Sequence, residues 1–583
     1  MTVTGGGHYV AAVLREEGVE STFGIVDGSY LQLCKGIVTR GIRLITPRHE
    51  SSGVHMAGAY ARLTGKLGVC LASNGPGVAN VLSGAAVESG EGNRVLLITS
   101  CRRTGIQYPD RGGTFQRFDQ VGTLGALGKW ACQVHSPDQL GEVLRKALRA
   151  CWEGRPGLVH VDVPEDILNG QGEYEDPWPT QQYHRAGPIY PEPTLVERAA
   201  EMLVDARLPV IHAGGGVLHA GAFAELARVA ELLHAPVTTS WSGRGVFKES
   251  HPLAWPMPHV KPVNQVRNAG DLVLCLGSRL GETDWWGKAP YWATPDRQQL
   301  IWVDIDESTL GRTRRADLAI QADVRVFLRQ LVVELEQRAD RIPVDARGRA
   351  VAKLARARDK DRVSLDGKLS DRSDPMLTAH VPTICRQVFD EDAVVVLDGG
   401  NTQVWGHFYH RIRIPNTVVS TPHMGHLGAG VGHAIGAAAA RPGTQVCCII
   451  GDGAFGMHPM EVETSIREQL PVVYVVVSDQ QWGMVKMTQS IAFHPMEMVL
   501  RKKLDPSKTI NGDLAVTAYD EMARSMGAHG ERVSAPDELA PALKRALESG
   551  RCAVVHVDVD PSKHLWAPGL MHFKAMHQEP EGK

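Results

Sequence analysis

Two aspartates, Asp452 and Asp479, each follow a short apolar run in residues 445–485, QVCCIIGDGAFGMHPMEVETSIREQLPVVYVVVSDQQWGMV. Val446 to Ile450 has the length of a buried strand and ends in Gly451-Asp452-Gly453; a helix-compatible segment follows, and a second run, Val472 to Val477, ends in Ser478-Asp479. This pattern predicts a βαβ unit with a carboxylate at the exit of each strand. Parallel strands place both exits on one edge of the sheet, where open α/β proteins bind ligands. Gly451 and Gly453 let backbone approach a ligand closely, and the amides that open the next helix face an anion. Two hard oxygen donors beside a phosphate-shaped nest suit Mg²⁺, which takes one or two carboxylates together with phosphate oxygens and water. By itself a GDG turn is as well explained by helix capping.

The second half of the stretch adds to this. GDG followed some thirty residues later by SDQQWGMV resembles the diphosphate-binding signature of thiamine diphosphate (ThDP) enzymes, in wording most similar to the catalytic subunit of acetolactate synthase, whose text is NNQxxGMV. The resemblance implies Mg²⁺ held by Asp452, the Asp479 side chain and the Gln481 backbone carbonyl. Gly453 and Ala454 would donate amides to the diphosphate, and Met484 would belong to the cofactor site. Ser478-Asp479 stands where the family has Asn-Asn, which adds one negative charge to the site.

Other signals occur in the order this family has them. TPRHESSGVHMAGAYARLTGKLGVCLASNGPGVANVLSGAAVES places Glu50 at the start of a helix carrying the small residues Gly53, Ala57, Gly58 and Ala59, which permit close packing. An acidic residue there is ordinarily a partner for the helix dipole. By the resemblance, Glu50 is instead the glutamate that hydrogen-bonds N1′ of the aminopyrimidine, favouring the tautomer whose 4′-nitrogen can take a proton from the thiazolium, and Gly75 belongs to a GPG turn near that ring. Gln116, in the text TFQ where acetolactate synthases carry AFQ, is a candidate polar group over the reactive carbon. Asp27, in VDGSY, adds a carboxyl group nearby and is read first as a turn residue. Further on, Gly400-Asn401-Thr402 resembles the first diphosphate-contacting turn. PHMGHLGAGVGHAIGAA supplies Gly425 under the thiazolium and Leu427 in place of the methionine that bends the cofactor.

These residues need elements to position them. At 583 residues the chain is too long for a single core, and length alone suggests three or four domains. The expected fold class is α/β, three doubly wound parallel-sheet domains: a pyrimidine-binding domain over 1–185, a central nucleotide-binding-like domain over 190–345, a charged linker or surface helix over 346–375, and a diphosphate-binding domain with a lid over 376–583. KALRACWEGRPGLVHVDVPED and KRALESGRCAVVHVDVDPSK share a basic helix end, a glycine turn and a VHVDV strand, an internal echo that implies duplication. In the central domain Gly214-Gly215-Gly216, Gly277-Ser278-Arg279 and Asp304-Ile305-Asp306 fall at strand ends. The resemblance leaves FAD, ADP or nothing at that place, and the absence of a GMHG match counts against flavin. Arg501, Lys502 and Lys503 in the lid are read as surface charge, with a CoA phosphate as the sharper reading.

A net charge of −3 gives no reason to propose nucleic acid or a membrane surface as partner, and no apolar run approaches the roughly 18 residues of a membrane span. The start lacks signal-peptide features, and ten scattered cysteines without zinc or redox spacing suggest reduced core thiols, so a cytoplasmic location is expected. The resemblance implies an enzyme that cleaves or forms the carbon–carbon bond beside a carbonyl through an enamine on ThDP. A 2-oxo acid is the first choice of substrate; a 2-hydroxyacyl-CoA lyase or an oxalyl-CoA decarboxylase-like enzyme is the alternative, and a non-catalytic cofactor-binding subunit a third. It also implies a homodimer or homotetramer with each active site between subunits.

Overall fold

In the computed structural model, which describes residues 2–184, 187–494, 496, 508–570 and 572, three six-stranded sheets follow one another along the chain. All their strand pairs are parallel. The runs of Val, Ile, Leu and Cys form these strands because a sheet covered by helices on both faces offers no polar side. Val394–Asp398, Val446–Gly451 and Val473–Ser478 are buried at every position.

The first sheet orders its strands as Arg43–Ile45, Ser21–Gly24, Gly68–Ala72, Val95–Cys101, Leu158–Pro164 and Trp130–Gln133. The third runs Val418–Val419, Val394–Asp398, Val446–Gly451, Val473–Ser478, Ala553–Asp558 and His529–Val533. Numbered within each sheet, both have the order 2-1-3-4-6-5, and the two VHVDV strands take the same place in each. The sequence echo is thus a structural one. The central sheet differs: its order, 3-2-1-4-5-6 counted from Pro209–Ala213, is that of dinucleotide-binding folds, with the switch between Pro209–Ala213 and Leu272–Leu276.

The inner faces of the first and third sheets share one hydrophobic core, while the central domain has its own. At the centre of the shared core, helix Glu50–Thr64 lies against helix Ala429–Ala440. A Cβ at Gly436 would fall 2.3 Å from the Met56 carbonyl oxygen, and one at Gly432 2.9 Å from that of Ser52, so glycine is what allows the two backbones to meet.

Two segments at the domain borders form regular elements. Gln171–Tyr174 is a strand that pairs antiparallel with Thr2–Gly5. The charged stretch after residue 343 is a helix, Val344–Asp366, fastened to the central domain by Arg347, which is fully buried and donates to the carbonyls of Leu233, Leu203, Val204 and Ala206. Arg501, Lys502 and Lys503 lie outside the described residues.

Candidate active site

The three glycine-rich or acidic strand exits of the third sheet meet at one pocket. Gly400, Asn401, Thr402, Leu427, Asp452, Gly453, Ala454, Asp479, Gln481 and Met484, all singled out in the sequence, line it; Gly425 does not and is exposed. Gly399, with φ 88°, turns the chain from strand Val394–Asp398 into helix Gly400–Tyr409, whose first-turn amides open at the pocket. Asn401 is buried, and neither its amide oxygen nor its amide nitrogen has a partner in the fold. A buried amide without partners is costly unless a ligand supplies them.

The two carboxyl groups differ in their partners, and Asp452 Oδ1 accepts the Gly453 amide at 2.7 Å. Asp452 Oδ2 accepts the Gln480 amide at 2.8 Å and the Ser478 hydroxyl at 3.1 Å, so Ser478 orients the first aspartate. Asp479 Oδ2 accepts Gln481 Nε2 at 2.9 Å, with His564 Nε2 at 3.8 Å. Burial pushes Asp479 up to about 7, and burial together with Asp479 beside it pushes Asp452 up to about 6. Two acids desolvated side by side resist ionisation, and a divalent cation is what would hold both charged. The donor set and the unpartnered Asn401 therefore fit a magnesium-bound diphosphate. Trp482 walls the pocket, its ring edge where a Cβ on Gly453 would be.

Sequence reasoning missed two residues here. Asp398 is buried and ties the pocket together: one carboxylate oxygen accepts the Gly399 amide and the other those of Gly428 and Gly430, at 2.9 and 2.8 Å, so the Gly400 turn and the Leu427 segment move as one. His564, from the C-terminal segment, lines the pocket and is kept neutral by burial, its pKa lowered to about 4. The Gly400 turn that follows Asp398 was visible in sequence; that Asp398 accepts the Gly428 amide was not.

Glu50, Gly75 and Gln116 form a second group on the first domain. Glu50 opens helix Glu50–Thr64, and its Oε2 accepts Asn80 Nδ2 at 3.0 Å, a contact the sequence did not reveal. A Cβ at Gly77 would stand 3.5 Å from Glu50 Oε1, and one at Gly75 2.7 Å from the Gln116 backbone oxygen, so the GPG turn lets both come close. Gln116 sits at φ 57° and accepts Asn74 Nδ2 at 3.1 Å, while Gln120 takes the Gly75 amide at 2.9 Å and donates to buried Asp162 at 2.8 Å. Asp27 caps the turn Gly28–Tyr30 by accepting the Ser29 amide. Among the described residues, none of this group lines the Asp452 pocket.

A second cavity, of about 440 Å³, lies at the switch point of the central sheet. Gly215, Gly216, Ser278, Arg279 and Asp304 line it, the strand ends picked out in the sequence, together with Arg155 of the first domain and His423 of the third. Burial, then the nearby Arg279, lowers Arg155 to about 10.

Residues 4–123, 196–331 and 398–557 match, in turn, the N-terminal, central and C-terminal domains of the thiamine pyrophosphate enzymes. The chain is 30% identical to an acetolactate synthase large subunit of Mycobacterium tuberculosis over 94% of its own length and 87% of the relative's. It is 29% identical to the large subunit of acetolactate synthase isozyme 3 of Escherichia coli over 97% and 96% of the two chains. It is also 29% identical to a sulfoacetaldehyde acetyltransferase of Alcaligenes xylosoxydans over 93% and 90%. The fold and the site define a thiamine diphosphate-dependent enzyme of the carboligase and transferase kind. The chain belongs to the thiamine pyrophosphate enzyme family, in its acetolactate synthase-like branch.

Proposed function

We propose that the protein decarboxylates a 2-oxo acid and joins the remaining fragment to an acceptor carbonyl, as an acetolactate synthase-like enzyme. The observation that carries this reading is the pocket in which Asp452, Asp479 and the unpartnered Asn401 await a cation and a diphosphate. When bound, ThDP supplies a carbanion at its thiazolium carbon and an electron sink for the bond that breaks. Asp452, Asp479 and the Gln481 carbonyl would hold Mg²⁺, and the amides of Gly453, Ala454 and the Gly400 turn would orient the diphosphate. Leu427 would set the bend of the cofactor. Glu50 would accept or hold the proton at N1′ of the pyrimidine, with Asn80 fixing its carboxylate. Gln116, placed by Asn74 on the same domain, would face the reacting carbonyl.

Glu50 does not line the Asp452 pocket of its own chain, which supports an active site completed by a second copy. The arginines and glycine turns of the central cavity suit a nucleotide such as FAD or ADP.

The test is to incubate the ThDP- and Mg²⁺-loaded protein with pyruvate and larger 2-oxo acids and to follow CO₂ release and acyloin products by NMR. Release of CO₂ with carboligated product is expected. Turnover of oxalyl-CoA or a 2-hydroxyacyl-CoA, with none from any 2-oxo acid, would move the reading to acyl-CoA chemistry. In Glu50→Gln, cofactor binding should be largely kept while turnover falls at least about a hundredfold; full activity in that variant would remove Glu50 from its role.

A further inference from the structure

Helix Pro76–Glu91 begins at the GPG turn beside Glu50 and ends with two buried acids one turn apart, Glu88 and Glu91. Both reach across to the third domain. Glu91 Oε1 accepts the backbone amides of His423 and Met424, each at 2.9 Å. Glu88 Oε1 accepts from His433 Nε2 at 2.8 Å and from His55 Nδ1 at 2.7 Å, and Asn93 takes its other oxygen. These three groups lie within 4.8 Å of one another, but the contacts are those of hydrogen bonds already made. The segment 423–433, which carries Gly425 and Leu427, is therefore pinned at both ends by one face of one helix.

The other oxygen of Glu91 is buried and has no partner in the fold, and Glu91 lines the central cavity, as does His423. Arg155, also in the cavity wall, donates to the carbonyl of Gly90 at 2.7 Å. One carboxylate thus stands where all three domains meet, one oxygen on the cofactor segment and the other buried and unpartnered in a residue that lines the cavity.

We propose that Glu91 is a positioning residue that links the central cavity to the ThDP site: a nucleotide in the cavity donates a hydroxyl or amino hydrogen bond to Glu91 Oε2 while its phosphates meet Arg155 and Arg279, and this fixes the 423–433 segment for the cofactor. The inference rests on the nucleotide reading of the cavity. Linkage is reciprocal, so each ligand tightens the other by the same factor.

The experiment is calorimetric titration of ThDP with Mg²⁺ into protein stripped of small molecules, alone and saturated with ADP or with FAD. In the wild-type protein one of the two nucleotides should tighten ThDP at least about fivefold. In Glu91→Ala the two affinities should become independent to within about twofold, and ThDP affinity alone should fall about tenfold. Glu91→Gln keeps an oxygen for the two amides but offers an NH₂ to the cavity; it should recover part of the ThDP affinity lost in the alanine variant without the linkage, and circular dichroism would confirm that both variants fold. Undiminished linkage in Glu91→Gln and Glu91→Ala would overturn the proposal. Nucleotide binding without any effect on ThDP in the wild type would leave the cavity reading standing and overturn the linkage alone. Failure of both nucleotides to bind would remove both.

Discussion

The cost of placing a second carboxyl group, Asp479, beside Asp452 is visible in the fold. Both carboxyls of the pocket have their pKa raised by burial, to about 6 for Asp452 and about 7 for Asp479. A carboxyl whose folded-state pKa is raised stabilises the fold fully below its unfolded value, near 4, and that contribution is lost as pH rises through the folded value. The cofactor-free protein should therefore lose thermal stability between about pH 4 and 7, most steeply near pH 5, where the unfolded carboxyls have ionised and the folded ones have not. A divalent cation offsets the loss by keeping both groups ionised. Added Mg²⁺ and ThDP should raise the unfolding midpoint by roughly 5–10 °C at pH 8 and by much less at pH 5, measured by scanning calorimetry. A shift independent of pH would show that these two acids do not meet the metal. In Asp479→Asn the pH dependence should flatten, because one of the two titrating groups is gone and the other loses its neighbour.

At the scale of elements, the helix pair Glu50–Thr64 and Ala429–Ala440 holds the first and third domains together, and it depends on glycine. Gly436→Val would put carbon atoms into the Met56 backbone, which cannot move as a side chain could, so the helices must separate. The expected loss is about 2–3 kcal/mol, seen as a lowered unfolding midpoint in urea, with the pocket residues untouched; an unchanged midpoint would mean that the interface is soft. The small residues of the first helix were legible in sequence as a close-packing face, and so were the strand-exit acids, because strand, turn and ligand are neighbours along the chain. What packs on that face was not legible. Asn80 reaches Glu50 from 30 residues away, and Glu88 reaches His433 from 345. Buried polar groups find partners by fold topology, which neither hydrophobic period nor motif spacing encodes. The Gln171–Tyr174 strand was missed for the same reason, since its partner is the chain start.

For the whole molecule, the repeated 2-1-3-4-6-5 sheets raise a question of pairing. A duplicated pair can place the Glu50 group and the Asp452 pocket together within one chain or between two, and in this chain Glu50, Gly75 and Gln116 do not line the Asp452 pocket. If the active site forms between copies, a dimer of Glu50→Gln with Asp452→Asn has one site carrying both changes and one carrying neither. Each variant alone should be inactive. After the two are mixed, dissociated at low concentration and reassembled, half of the dimers are mixed and one site in two is intact in each, so activity should return to about a quarter of the wild-type value. Sites built within one chain would give no recovery at any ratio, because every subunit would then carry a broken site. Recovery that follows the measured fraction of mixed dimers would also make activity fall on dilution, at the concentration where the dimer itself comes apart.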